Sequence, residues 1–310
     1  MAVTEIQKTS PFSSRLRETL RQMRKNWSAY LFLAPGLIHF LVFTVFAVTF
    51  AFYISFHDWN IIKPDKPFVG LDNYVRLFHD PRFVRAVTNT LTFLVGVPLG
   101  LMAGLSVALL LNTKVRGQAI YRTLFYIPVV TPLVVSSIIW KWVYQGDYGL
   151  LNYYLLKFGL IEHKIVWLAD PNLALPALII MMIWGGTGGT MVIYLAGLQS
   201  IPEEMYDAAK VDGASTLQRL LYITIPLLRP TTFFLLITSV IGTFQIFTEV
   251  YIMTNGGPLN RTTTIGYYLY TNAFRELDMG YATAMAFVLF AMIFGFTLLQ
   301  WKYTRGDVEY

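Results

Sequence analysis

Glu203, Glu204 and Asp207 recur at the spacing that puts side chains on one face of a helix, within the segment Ile201-Pro202-Glu203-Glu204-Met205-Tyr206-Asp207-Ala208-Ala209-Lys210-Val211-Asp212-Gly213-Ala214-Ser215. Pro202 suits the first turn of a helix, and acids at Glu203 and Glu204 suit its positive end. Ala208 and Ala209 keep another part of that helix thin. Gly213 can take the left-handed conformation that stops a helix and turns the chain. A second short helix then runs from Ser215 until Pro226. The chemistry on offer is docking rather than catalysis, because an acid face beside paired alanines gives a small surface for close approach. The plain alternative is a loop that only links two apolar stretches.

A second set of polar groups lies in an apolar stretch. Thr238, Gly242, Gln245 and Glu249 follow i, i+4, i+7 and i+11, which is one helical face, and Ser239 and Thr243 lie beside it. Such groups hydrogen-bond a polar solute at mid-depth, or they bind neighbouring helices. Gln245 is the more demanding, since its amide needs several partners. Glu249 abuts an otherwise uncharged stretch about 28 Å along from Pro230, near the outer end. There it serves an outer gate or interface, or it simply reaches water. Trp184-Gly185-Gly186-Thr187-Gly188-Gly189-Thr190 places four glycines in five positions, each weakening a helix by about 1 kcal/mol relative to alanine. In a membrane they permit close helix approach or local unwinding around a ligand.

The elements that position these groups follow from composition. Hydrophobic residues make up 55% of 310, charged residues 14% and aromatics 16%. A soluble domain is about 25% charged, so the natural solvent for this chain is a bilayer, and disorder is excluded. There are no cysteines, which removes disulfides, thiolate metal sites and cysteine nucleophiles. His39, His57, His79 and His163 are dispersed, which argues against a zinc site. The net charge of +6 need not mean nucleic acid, because basic residues mark the cytoplasmic side of membrane proteins.

Six charge-free stretches reach the length of a spanning helix: Tyr30–Phe56, Thr88–Leu111, Thr123–Trp140, Leu173–Leu198, Pro230–Thr248 and Met279–Trp301. None shows the alternation of a barrel strand. Arg15, Arg17, Arg21, Arg24 and Lys25 precede the first, which places the N-terminus in the cytoplasm. The expected organisation is a cytoplasmic tail at 1–29, a transmembrane domain at 30–303 with the loop 199–229 on the cytoplasmic side, and a cytoplasmic tail at 304–310. The first stretch is too long for a signal peptide and lacks a small-residue cleavage site. Asn73–Val87 alternates apolar and charged groups and predicts an interfacial helix on the outer surface, or a docking segment.

Asp207-Ala208-Ala209, Gly213 after three intervening residues, and Ile223-x-Ile225-Pro226 after nine more resemble the EAA signature of ABC importer permeases, Glu-Ala-Ala-x3-Gly-x9-Ile-x-Leu-Pro. Asp207 stands for the signature's Glu, and Ile225 for its Leu. The shorter Asp207 implies a rearranged salt bridge to the ATPase. Phe68-Val69-Gly70-Leu71-Asp72-Asn73-Tyr74, Tyr251-Ile252-Met253-Thr254-Asn255-Gly256-Gly257-Pro258, Thr262-Thr263-Thr264 and Met279-Gly280-Tyr281-Ala282 are similar to segments of the carbohydrate-type members. The chain resembles the first of their two permease subunits over roughly residues 28–303.

The resemblance implies an all-α, polytopic fold with six transmembrane helices, that of a type I ABC importer permease in the inner (plasma) membrane. It implies a second permease subunit, two ATPase subunits and an extracytoplasmic solute-binding protein as partners. It implies no cofactor or metal in this chain, since ATP and magnesium are bound by the partner ATPase. Glu203, Glu204, Asp207, Ala208, Ala209 and Gly213 are then the ATPase-docking residues. The family's sugar contacts carry over to Met182, Gly186, Ser239, Thr243 and Ile246, with Trp184, Gln245 and Glu249 as further pathway candidates. Met182 and Ile246 are apolar where the maltose-type member has amides, which implies a different solute or recognition left to the binding protein. An ion-coupled secondary transporter is the rival class, and it places acids mid-span. A membrane enzyme would need clustered aspartates or a Ser/His/Asp set, and the aspartates here are scattered in loops.

Overall fold

The computed structural model describes Arg21, residues 25–113 and residues 116–304. Arg15, Arg17 and Arg24 of the expected N-terminal tail, and residues 305–310 of the C-terminal one, lie outside the described residues. Among the described residues, every regular element is helical apart from two isolated bridges, His57 with Phe68 and Asn60 with Asp278. Hydrocarbon offers no water to satisfy N–H and C=O groups, and a helix satisfies them within its own segment.

The chain divides into residues 1–53 and 54–310. In the first unit α1 (Trp27–Phe40) passes through a π turn at Leu41–Phe46 into α2 (Ala47–Ile54). Together they contain the apolar helix Tyr30–Ile54, 25 residues long, ending two residues short of the expected Phe56.

The second unit opens on α3 (Asp72–His79) and α4 (Pro81–Phe93). Asn73–Val87 is therefore not one interfacial helix. Asp80 takes an extended conformation and its side chain accepts the Arg82 N–H at 2.8 Å, with Pro81 in the first turn. That is an N-cap followed by a proline that lacks an N–H to satisfy. With α5 (Gly96–Leu111), α4 makes a 31-residue span, Pro81–Leu111, which begins seven residues before the expected Thr88.

The third expected span, Thr123–Trp140, is not straight. It is α6 (Gln118–Val130) and α7 (Leu133–Val143), set at 99°. Thr131 has extended backbone, with ψ near 127°, because the residue before proline is pushed out of the helical region, and Pro132 follows with ψ near 132°. After the short α8 (Leu150–Lys157), α9 (Ala174–Gln199) runs unbroken for 26 residues through its glycines.

The loop after it forms α10 (Glu203–Val211), α11 (Thr216–Arg219), a π turn at Leu220–Thr224 and α12 (Ile225–Leu227). The segment Thr216–Leu227 meets α13 (Arg229–Phe244) at 62°. α14 (Thr248–Met253), α15 (Ile265–Tyr270) with a π turn at Thr271–Arg275, and α16 (Met279–Thr304) complete the chain. Among the described residues, four helices are each long and apolar enough to span, or six if each bent pair is one span.

Packing explains why α9 stays helical. Gly104 of α5 faces Thr190, Gly96 of α5 faces Met182, and Gly188 faces the Phe125 carbonyl of α6, each too closely for a Cβ atom. At Gly188 close approach offsets the lost propensity with van der Waals contact, whereas a Cβ on Gly185 or Gly186 would meet open space. Buried Leu101, Ala108, Met191, Tyr194, Leu235 and Phe244 fill the seam between α5, α9 and α13.

A polar knot ties α3 and α4 to the last two helices. Asp80 Oδ2 accepts the hydroxyls of Tyr268 and Tyr281, each at 2.7 Å. Arg76 donates to Asp278 at 2.8 Å, and its guanidinium lies 3.9 Å from the centre of the Tyr281 ring. Burial alone would push the Asp80 carboxyl up. The two hydroxyls and the backbone N–H groups of Arg82 and Phe83 outweigh it and hold the group below the usual carboxylate range. Burial, reinforced by Asp80, pushes the Tyr268 hydroxyl up to about 12.

Candidate functional site

Two sites emerge, one on the loop and one among the helices. In the loop, Pro202 occupies the position just before α10 with ψ 133° and no side-chain capping bond, and Glu203 and Glu204 occupy the first turn. Gly213 has φ +76°. Ala214 N–H donates to Ala209 O at 2.8 Å and Gly213 N–H to Lys210 O at 3.1 Å, the paired bonds of a Schellman stop. Asp207 Oδ1 accepts the Lys210 ammonium at 2.7 Å, so one carboxylate of the acid row is paired within the helix. Glu203, Glu204, Asp207, Ala208 and Gly213 are exposed and Ala209 is half-buried.

Three loop features went unnoticed in the sequence. Ser215 and Gln218 form a reciprocal capping box, with Gln218 N–H to Ser215 Oγ at 3.3 Å and Ser215 N–H to Gln218 Oε1 at 2.7 Å. The Ser-x-x-Gln spacing is its signal. Tyr206 and Thr224 share a hydroxyl–hydroxyl bond of 3.0 Å, which fastens α10 to the π turn leading to α13. Val211, 88% exposed, and Leu217, Leu221 and Tyr222 present apolar side chains to the surroundings.

The second site is a cavity of about 270 Å³ between α5, α9, α13 and the start of α14. Met182, Gly186, Ser239, Thr243, Ile246 and Glu249 all line it. Trp184 does not; its ring packs edge-on to Trp140, centroids 5.5 Å apart. Gln245 does not either; it is exposed at the end of α13, its N–H on the Gly242 carbonyl at 3.1 Å. The expected single face of Thr238, Gly242, Gln245 and Glu249 is broken because α13 ends at Phe244 and Glu249 belongs to α14. Thr238 turns its hydroxyl to the Phe234 and Leu235 carbonyls.

Thr243 is buried and donates to Ser239 O at 2.8 Å, so its hydroxyl is already engaged. Among the described residues the Ser239 and Thr190 hydroxyls make no hydrogen bond, and both line the cavity. The wall contributed by α5, with Gly96 and Gly100, was missed. Its signal is Gly96-x3-Gly100-x3-Gly104, the small-residue spacing of close-packed membrane helices. A lining of glycines, hydroxyls, thioether and one carboxylate suits a hydroxylated solute held loosely.

Residues 96–305 match the family described as "Binding-protein-dependent transport system inner membrane component". The chain is 38% identical to the lactose transport system permease protein LacF of Rhizobium radiobacter, over 90% of this chain and 94% of that protein. It is 36% identical to the trehalose/maltose transport system permease protein MalF of Thermococcus litoralis, over 89% and 93%. In structure it is similar to a chain of a bacterial ABC transporter involved in the import of the acidic polysaccharide alginate, with TM-score 0.82 and 24% identity over 94% of this chain and 100% of the other.

Proposed function

Because the chain belongs to the inner-membrane components of binding-protein-dependent transport systems, we propose that it is the first of two permease subunits of an ATP-driven importer and forms half of the pathway for a sugar or related solute. As a permease of this family it is a multi-pass inner-membrane protein without catalytic activity of its own. Family membership also sets aside the ion-coupled secondary transporter. The sugar reading is supported by the relatives named for lactose and for trehalose/maltose, and by the hydroxyl-bearing cavity. Two cytoplasmic ATPase subunits, which bind ATP and magnesium, and a solute-binding protein on the outer side complete the assembly. Both termini, with the tails 1–29 and 304–310, lie in the cytoplasm.

The observation that carries this reading is the protruding helix α10, closed by the left-handed Gly213 and fastened through Tyr206 to the segment that enters α13. α13 also lines the cavity. A displacement of α10 by an ATPase is thereby handed to a helix of the pathway. Purification of the tagged chain should bring down an ATPase and a second permease, and hydrolysis in that complex should rise with binding protein and a sugar. A chain that purifies without an ATPase removes the reading.

A further inference from the structure

Among the described residues, the cavity that we read as the solute pathway is lined by one ionisable group. Glu249 enters it from the first turn of α14, half-buried, opposite the glycines and hydroxyls of α5, α9 and α13. Among the described residues it forms no salt bridge. Two cations lie against other residues of α14: Lys141 donates to the Ile252 carbonyl at 3.1 Å, and the Arg275 guanidinium lies 6.0 Å from the centre of the Tyr251 ring. An ionised carboxylate only accepts hydrogen bonds. It receives O–H and N⁺–H donors and repels phosphate, sulfonate and carboxylate groups, more strongly in a partly desolvated cavity than in water. The relatives leave the point open, since their names include a neutral disaccharide and an acidic polysaccharide.

The geometry points to Glu249 as the charge selector of the pathway, admitting neutral polyhydroxylated or cationic solutes and turning away anionic ones. This rests on the cavity being the solute pathway, and the test separates the two claims. The chain has no cysteine, so Gly242→Cys supplies its single thiol, and a Cβ at Gly242 meets open space. In the assembled importer that thiol is reacted with cationic trimethylammonium-ethyl and anionic sulfonato-ethyl methanethiosulfonates. Labelling is read by the mass of this chain, and uptake is measured in parallel.

The cation-to-anion rate ratio should fall at least about tenfold on Glu249→Gln and be kept by Glu249→Asp. At the exposed Thr113→Cys position Glu249→Gln should leave it unchanged. Gly186→Cys, also in open space on the cavity wall, repeats the measurement. A ratio indifferent to Glu249→Gln at both cavity thiols, in complexes whose uptake labelling blocks, overturns the charge role alone. Normal uptake after complete labelling at both overturns the pathway reading, and the charge selector with it.

Discussion

Single residues show where sequence and structure diverge most. The glycine-rich run of α9 is plain to read, but which glycines touch a neighbour is decided by helices distant in sequence. Gly188 abuts the backbone of Phe125, whereas a Cβ on Gly186 meets open space. Gly188→Ala should cost about 1–3 kcal/mol, the range for overpacking, and lower the melting temperature of the purified complex. Gly186→Ala, which meets open space, should not lower it and should regain up to about 1 kcal/mol of helix propensity. Asp80 belongs to the same scale. Its folded-state carboxyl lies below the usual value, so the stability it contributes is complete above the ordinary carboxylate range, near pH 4, and drains away as pH falls through the depressed value. Thermal melts of wild type and Asp80→Asn should therefore differ at pH 7 and converge in acid. An equal gap at every pH would show that packing, and not the charge, is what Asp80 supplies.

Elements were legible where local chemistry sets their ends. Pro202, the acids after it and Gly213 bound α10 in the sequence as they do in the structure. The bend of α6 on α7 was equally available from Pro132, since proline governs the residue before it. The end of α13 was not. Gln245, Ile246 and Phe247 contain no breaker. The Ile246 carbonyl instead accepts the Thr264 hydroxyl at 2.8 Å, a partner 18 residues away that competes with the helical ladder. That single break moves Gln245 off the cavity and leaves Glu249 on it. For the loop that we propose docks the ATPase the expectations are direct. Gly213→Leu strains a left-handed turn by about 1–2 kcal/mol, and Ala208→Arg puts bulk and charge on the thin face. Both should insert and assemble with the second permease yet lose solute-stimulated hydrolysis, with Ala208→Arg also releasing the ATPase. Tyr206→Phe removes only the bond to Thr224 and should keep the ATPase bound while uncoupling hydrolysis from uptake. Normal coupling in all three, with a stoichiometric ATPase, would mean the loop is a linker.

For the whole molecule the question is parity. Among the described residues, four helices are each long enough to be a span, and the bent pairs decide whether the number is six. α13 has 16 residues, about 24 Å of helix, less than the roughly 30 Å hydrocarbon core. It must recruit the segment before it or α14 after it to cross. α6 and α7 meet at 99°, so their combined rise across the bilayer is well below that of a straight helix of equal residue count. If that pair dips in and returns, everything after it changes side, and the loop that carries α10 faces away from any cytoplasmic ATPase. Charge argues for crossing. Segments 1–29, 112–122, 199–229 and 302–310 carry 14 Lys and Arg in 80 residues, against 10 in 93 for the segments between them, and the bias is concentrated ahead of the first span, where it most often sets orientation. Reporter fusions after Lys25, within 199–229 and after Thr304 should therefore all read cytoplasmic, and a fusion near Tyr148 should read external. An external signal within 199–229, with a cytoplasmic one at Tyr148, would make α6 and α7 a re-entrant hairpin and would take α10 out of reach of the ATPase.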